Sequence, residues 1–197
     1  MNATIRPSGR IGPNALLQLV PVLEQAGGAD LRDAVFADGG VFQIPAADAM
    51  IEEGPVAAVH QALRRRLPAD APKLARVAGI RTADYILANR IPKPAQWLLR
   101  HLPPRLSGPL LARAIARNSW TFAGSGAFRV VSTRPMVFEI VDNPVVRGES
   151  APLPICDWHV AVFERLFSVL VDPKVRVTET ECCACGSSAC RFSLRFG

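Results

Sequence analysis

The sequence lacks any apolar run near the roughly 18 residues that cross a bilayer, so no transmembrane helix is expected. Its opening, MNATIRPSGRIGPNALL, has no continuous apolar stretch and no small-residue cleavage site, which argues against a secretory leader. A cytoplasmic location follows as the expectation, and thiols there stay reduced. Five cysteines are an odd number, so a framework of disulfides would leave one over. Nicotinamide sites usually show G-x-G-x-x-G between a strand and a helix. The nearest candidate, Gly124-Ser125-Gly126, lacks the third glycine and runs on into strand-like AFRVVS. No Ser/His/Asp arrangement, internal repeat or low-complexity tract is evident. Neither a recognition helix nor an aromatic RNA-binding motif is found, which sets nucleic acid aside as a partner.

What is present is a globular composition, 49% hydrophobic and 20% charged. Its 197 residues suit one domain with an appendage: an N-terminal helical extension over 1–45 and a ligand-binding domain over 46–197. The net charge of +6 is uneven, because residues 61–120 hold twelve Lys/Arg against two Asp/Glu. Such a segment reads as solvated helix faces, or as attraction to an anionic ligand, an acidic partner or a membrane surface, which allows peripheral membrane association.

Helical apolar spacing covers residues 13–26, with Pro21 expected to kink the helix or end its first half. Loops around a short helix are expected up to about residue 43. Further helices are predicted over 46–66, broken near Gly54-Pro55, and over 71–89. IPKPAQWLLRHLPPRLSGP carries five prolines in nineteen residues, a composition expected to allow only short helical pieces. After a helix at 109–118, strands are predicted over 120–132 and 136–141, joined through Thr133-Arg134-Pro135. Residues 155–171 predict a buried helix, apolar most of the way round, and strands over 174–180 and 190–196 bracket a cysteine loop. The predicted class is α+β: N-terminal helices, then an antiparallel sheet with a late buried helix.

Four of the five cysteines fall within the nine residues of that loop. Strand alternation places Val175, Val177 and Glu179 on one face, and Cys190, Phe192, Leu194 and Phe196 on one face of the partner. Both apolar stripes therefore end in a potential ligand at the same end of a hairpin. A buried carboxylate without a partner costs several kcal/mol or shifts its pKa, so Glu179 needs a partner, and a divalent metal would serve. Cys182 and Cys185 form a C-x-x-C pair, which alone fits zinc, a redox pair or chance. An iron–sulfur cluster fits poorly, because adjacent cysteines are badly placed to ligate one cube.

Cys156-Asp157-Trp158, then Glu179, Cys182 and Cys190 before a terminal RFSLRFG, resemble the 4-vinyl reductase domain family. Within it, LPADAPKLARVAGIRTADYILANRIPKPAQWLLRHLP and ARNSWTFAGSGAFRV resemble the members that serve bacteriochlorophyll biosynthesis. The resemblance spans roughly residues 56–197 and implies a fold related to transport protein particle subunits, with a zinc-stapled C-terminal hairpin. It also implies structural zinc held by Cys156, Glu179, Cys182 and Cys190, whose spacings of 23, 3 and 8 residues match the family's. Cys183 and Cys185 fall outside that pattern, which leaves Cys185 as an alternative ligand.

Vinyl reduction, which the family's name implies, needs a source of electrons, and no such motif is evident; no catalytic residue is assigned. The resemblance better fits a carrier of a tetrapyrrole, a magnesium porphyrin or protochlorophyllide. Magnesium chelatase and the methyltransferase that follows it are the implied partners, and a homodimer is left open. A vinyl reductase with an external donor and a small-aromatic sensor are the alternatives. Candidate pigment contacts are Tyr85, Arg90, Trp97, His101, Trp120 and Phe122. His60 and His159 are weighed with His101 as axial nitrogens, and His159, one turn beyond Cys156, is ranked as core.

Overall fold

Helical spacing in the first two thirds of the chain and alternation in the last third sort it into a helical layer and an antiparallel sheet. A computed structural model describes residues 9–197. Residues 1–8, which begin the expected N-terminal extension and the stretch read for a leader, lie outside the described residues.

The first helices are Asn14–Leu17 (α1) and Leu19–Asp38 (α2). Pro21 does not break the chain as expected, because it falls in the first turn of α2, where its missing N–H has no intrahelical acceptor to lose. The break lies at Gly27-Gly28, where Gly28 takes φ +77°, a conformation open to glycine and strained for other residues. Helix α2 resumes through the segment expected to be loop.

The helix predicted from residue 46 begins only at Glu53–Arg66 (α3). Ahead of it, Ile51–Glu52 (β2) pairs antiparallel with Arg10–Ile11 (β1), and Pro55 sits in the first turn of α3 instead of interrupting it. Ala71–Asn89 (α4) follows. The proline-rich segment forms two full helices, Lys93–His101 (α5) and Pro104–Arg117 (α6), contrary to the short pieces expected. Most of its prolines occupy caps or first turns, so they start helices and do not end them.

Residues 120–123 are also not strand but a short helix, Trp120–Ala123 (α7). The buried Glu53 carboxylate holds the turn after it, accepting hydrogen bonds from Ser125 N at 2.8 Å and Ser125 Oγ at 2.5 Å, and pairing with Arg147. This anchoring outweighs the β propensity of Trp-Thr-Phe.

Ala127–Thr133 (β3), Met136–Val141 (β4), Arg176–Glu181 (β5) and Ala189–Arg195 (β6) form a four-stranded antiparallel sheet in the order β3-β4-β6-β5. The register sets Met136, Phe138 and Ile140 opposite Leu194, Phe192 and Cys190, and all six side chains are buried. Asp157–Leu170 (α8) crosses this face, with Phe163 packed on Phe138 at 5.2 Å and on Phe192 at 5.3 Å between ring centroids. Burying each of these rings contributes about 2–3 kcal/mol.

On its other side α8 meets α4 so closely that a Cβ at Gly79 would lie 2.4 Å from the Trp158 carbonyl oxygen. Helix α8 is therefore enclosed by sheet and helices, which explains an apolar surface that runs nearly all the way round. The N-terminal residues join the same core: Leu16, Leu19 and Leu23 are buried, and His60 of α3 meets the Ala15 carbonyl at 3.0 Å.

Candidate metal centre and ligand cavity

Two clusters of buried polar groups flank the start of α8. The first is built from the cap of that helix and the β5–β6 hairpin. Cys156 is the N-cap residue, Glu179 lies on β5, Cys182 follows its end and Cys190 lies on β6. The register of β5 shifts between Glu179 and Glu181, so a bulge interrupts the alternation. Glu179 stays opposite Phe192 on the core face, whereas Glu181 comes opposite Arg191 and pairs with it at 2.8 Å.

The structure brings Cys156, Glu179, Cys182 and Cys190 together, with one potential ligand atom from each lying within 4.8 Å of the others. The sulfur separations are 3.5 Å for Cys156–Cys190 and 3.9 Å for Cys156–Cys182 and Cys182–Cys190. A tetrahedron with zinc–sulfur bonds of about 2.3 Å has edges of about 3.8 Å. A disulfide would need about 2.05 Å, and all five cysteines are free.

Glu179 Oε2 accepts from the Cys156 N–H at 2.7 Å, while its Oε1 is buried without a partner. Burial pushes the Glu179 carboxyl up to about 8 and the Cys156 thiol well above its usual range. Cys182 moves the other way, because Cys156 and Cys190 favour its thiolate through hydrogen bonds. Three sulfurs and a carboxylate with an orphaned oxygen suit a divalent cation, which would satisfy all four donors at once. Cys185 is exposed and Cys183 half-buried; neither belongs to the cluster.

The second cluster lines a cavity of about 400 Å³ enclosed by α4, α6, α7 and α8, with Gly12–Ala15 and residues 47–50 closing one side. This volume falls in the usual range for small-molecule sites. His159, Val162, Phe163 and Leu166 face it at helical spacing i, i+3, i+4 and i+7. Of the residues expected to touch a ligand, Tyr85, Arg90, Trp120 and Phe122 line the cavity. Arg90 and Trp120 are exposed, and the Arg90 guanidinium lies 5.9 Å from the Tyr85 ring.

Trp97 and His101 do not line it. They stack on one another at 4.3 Å on the outer face of α5, and His101 Nδ1 meets the Trp97 carbonyl one turn back at 2.7 Å. His60 is buried behind Trp158 and is not among the lining residues. The expectation for His159 also needs revision, since it lines the cavity with both ring nitrogens unpartnered, beside an unpartnered Trp158 Nε1. Burial pushes His159 down to about 3, so its ring is neutral. The signal for it lay in the helical spacing of residues 159, 162, 163 and 166, masked because the rest of α8 is equally apolar.

Comparison with known proteins adds to this geometry. Residues 136–196 match the 4-vinyl reductase domain. The chain is 58% identical over 185 residues to the Bacteriochlorophyll synthase 23 kDa chain of Cereibacter sphaeroides, covering 94% of this chain and 90% of that one. It is 48% identical to the protein of the same name from Rhodobacter capsulatus, over 94% of this chain and 86% of that one. In fold it is similar to an H-NOX family protein studied for heme distortion, with a TM-score of 0.58 at 11% identity over 94% and 95% of the two chains. An Fe(II) unliganded H-NOX variant from K. algicida superimposes with a TM-score of 0.60 at 10% identity, over 95% and 97%. At such identities the likeness to the H-NOX proteins concerns the fold alone.

Proposed function

Because the chain belongs to the 4-vinyl reductase domain family together with the bacteriochlorophyll synthase 23 kDa chains, we propose that it serves bacteriochlorophyll biosynthesis by holding a tetrapyrrole intermediate in the α8 cavity and passing it between pathway enzymes. The cavity itself carries this proposal: an aromatic and aliphatic chamber of about 400 Å³ with Arg90 and Trp120 exposed at its edge. A flat apolar ring suits such walls, and Arg90 suits the carboxylate of a side chain projecting to the surface.

Cys156, Glu179, Cys182 and Cys190 would hold zinc as a closed structural site, tying the start of α8 to the β5–β6 hairpin. Zinc there would supply cross-linking and not chemistry. Residues 46–197 would form the ligand-binding unit and residues 1–45 an appended one whose Gly12–Ala15 close the cavity. Kinship of fold with transport protein particle subunits belongs to the same proposal, as do magnesium chelatase, the subsequent methyltransferase and a second copy of the chain as partners.

No described helix is long and apolar enough to cross a membrane. Peripheral attachment is proposed instead, because residues 85–138 contain eight Lys/Arg and no Asp/Glu, and Trp97, Leu98, Leu106 and Leu110 are exposed on α5 and α6. Basic residues beside exposed rings and aliphatic chains suit an anionic lipid surface.

The test is titration of the purified chain with magnesium protoporphyrin, read by the Soret band and by quenching of tryptophan fluorescence. Saturable 1:1 binding at micromolar concentration is expected, and no saturable change would overturn the proposal. Incubation with divinyl pigment and NADPH, followed by mass spectrometry, should leave the vinyl group intact. Time-dependent conversion would replace the carrier with a reductase.

A further inference from the structure

His159 is 1% exposed and lines the cavity, yet neither ring nitrogen has a hydrogen-bond partner. The rings nearest it are Trp158 at 4.8 Å, Phe192 at 6.0 Å, Phe163 at 6.2 Å and Phe122 at 6.3 Å between centroids. Only Trp158 among these carries a polar atom, and its Nε1 is unpartnered as well. A buried polar atom left unpaired costs about 1–3 kcal/mol, a cost seldom retained without use.

The imidazole is also held firmly in place. Its helix starts at Cys156 of the proposed metal staple, and the preceding carbonyl, that of Trp158, lies against Gly79 of α4. At neutral pH the ring is uncharged, so one nitrogen presents a lone pair and the other an N–H. A metallated tetrapyrrole has the complementary deficiency, because its four in-plane nitrogens leave the axial positions of the metal open.

We infer that His159 is the axial ligand to the metal of a tetrapyrrole bound in the cavity. This rests on the pigment-binding proposal above and adds to it the residue that distinguishes a metallated ring from a free base. A neutral imidazole fixed on a rigid helix is a common ligand for such a metal. The walls around it exclude competing side-chain donors, since Phe122, Phe163 and Phe192 offer only hydrocarbon. The site would thus select pigment that has already received its metal, which places the chain after metal insertion in a reaction sequence.

The experiment compares magnesium protoporphyrin with metal-free protoporphyrin on the wild-type chain and on His159→Phe, with melting temperature and metal content checked for both proteins. His159→Phe is expected to weaken magnesium protoporphyrin by about tenfold or more and to abolish its axial-ligand Soret shift, while binding of the free base changes by less than about threefold. In His159→Gly, added imidazole should restore the shift. Independently of any substitution, ¹⁵N-histidine-labelled wild-type protein should show one ring nitrogen with a coordination shift when magnesium protoporphyrin is bound. Equal binding of both ligands by the wild type and His159→Phe, or no perturbed imidazole, would overturn the assignment and leave pigment binding standing. Failure of the wild type to bind either porphyrin would overturn both.

Discussion

The two polar clusters beside the first turns of α8 are built from similar ingredients and differ in closure. In the cysteine cluster, ligand atoms from a helix cap and two strands converge within 4.8 Å, leaving space for an ion and nothing larger. In the cavity, His159 and Trp158 face about 400 Å³ of mostly apolar space. A converging set satisfies its own groups once a cation is present, so its loss should cost folding. Groups aimed at open space are satisfied only from outside, so their loss should cost binding.

The sharpest way to break that contrast is to remove a donor from the closed cluster. Cys190→Ser should abolish stoichiometric zinc and lower the melting temperature by about 10 °C or more, since structural zinc is folding free energy. Elemental analysis and thermal melts check this. Cys183→Ser and Cys185→Ser should leave both quantities unchanged, and equal effects at all three positions would dissolve the four-ligand assignment.

A large effect is also expected where the two regions share a wall. Phe163 packs on Phe138 and Phe192 of the sheet and also lines the cavity. Phe163→Ala should cost about 3–5 kcal/mol of unfolding free energy and leave zinc content intact, as denaturant titration and elemental analysis would show. Loss of zinc as well would mean that the closed cluster depends on the cavity side after all.

How much of this was legible in the sequence differs between the two regions for physical reasons. Alternation along Val175, Val177 and Glu179, and along Cys190, Phe192 and Leu194, pointed both ligands to the core, because a strand has only two faces. The bulge that turns Glu181 away was not legible, since nothing in Thr-Glu-Thr-Glu marks where the register shifts. The cavity was harder still. A helix apolar all round does not say which side meets the sheet and which meets space, so His159 read as core. Trp97 and His101 misled for the converse reason: they occupy a basic, aromatic stretch, but their helix turns them outward.

Acid stability sharpens the comparison more gently. Burial pushes both His60 and His159 down to about 3, below the ordinary histidine value of 6.5. The unfolded chain therefore takes up protons that the folded chain refuses, and stability falls as pH drops from about 6.5 towards 3. Each histidine should contribute up to about 1.4 kcal/mol per pH unit in that window. Denaturant titrations at pH 7.5 and 5.5 should show a smaller pH dependence in His159→Phe than in the wild type. An unchanged pH dependence would mean that the His159 ring is charged or solvated in the folded chain.

The smallest effect on stability, and the finest division of function, concerns two exposed tryptophans. Trp97 is 60% exposed and lies away from the cavity, whereas Trp120 is 57% exposed and lines it. Neither indole is deeply packed, so Trp97→Ala and Trp120→Ala should each change unfolding free energy by about 0.5 kcal/mol or less. Their binding phenotypes should separate. Trp97→Ala should reduce cosedimentation with phosphatidylglycerol vesicles and leave magnesium protoporphyrin affinity unchanged, because an amphipathic ring at the lipid boundary anchors a basic helix. Trp120→Ala should weaken the pigment severalfold through lost ring contact. High salt should diminish vesicle binding of the wild type, as screening weakens the attraction between residues 85–138 and anionic lipid. Equal binding of Trp97→Ala and wild type to vesicles at low salt would remove α5 from the membrane face. A loss of pigment affinity in Trp97→Ala as large as in Trp120→Ala would show that the outer face of α5 and the cavity act as one site.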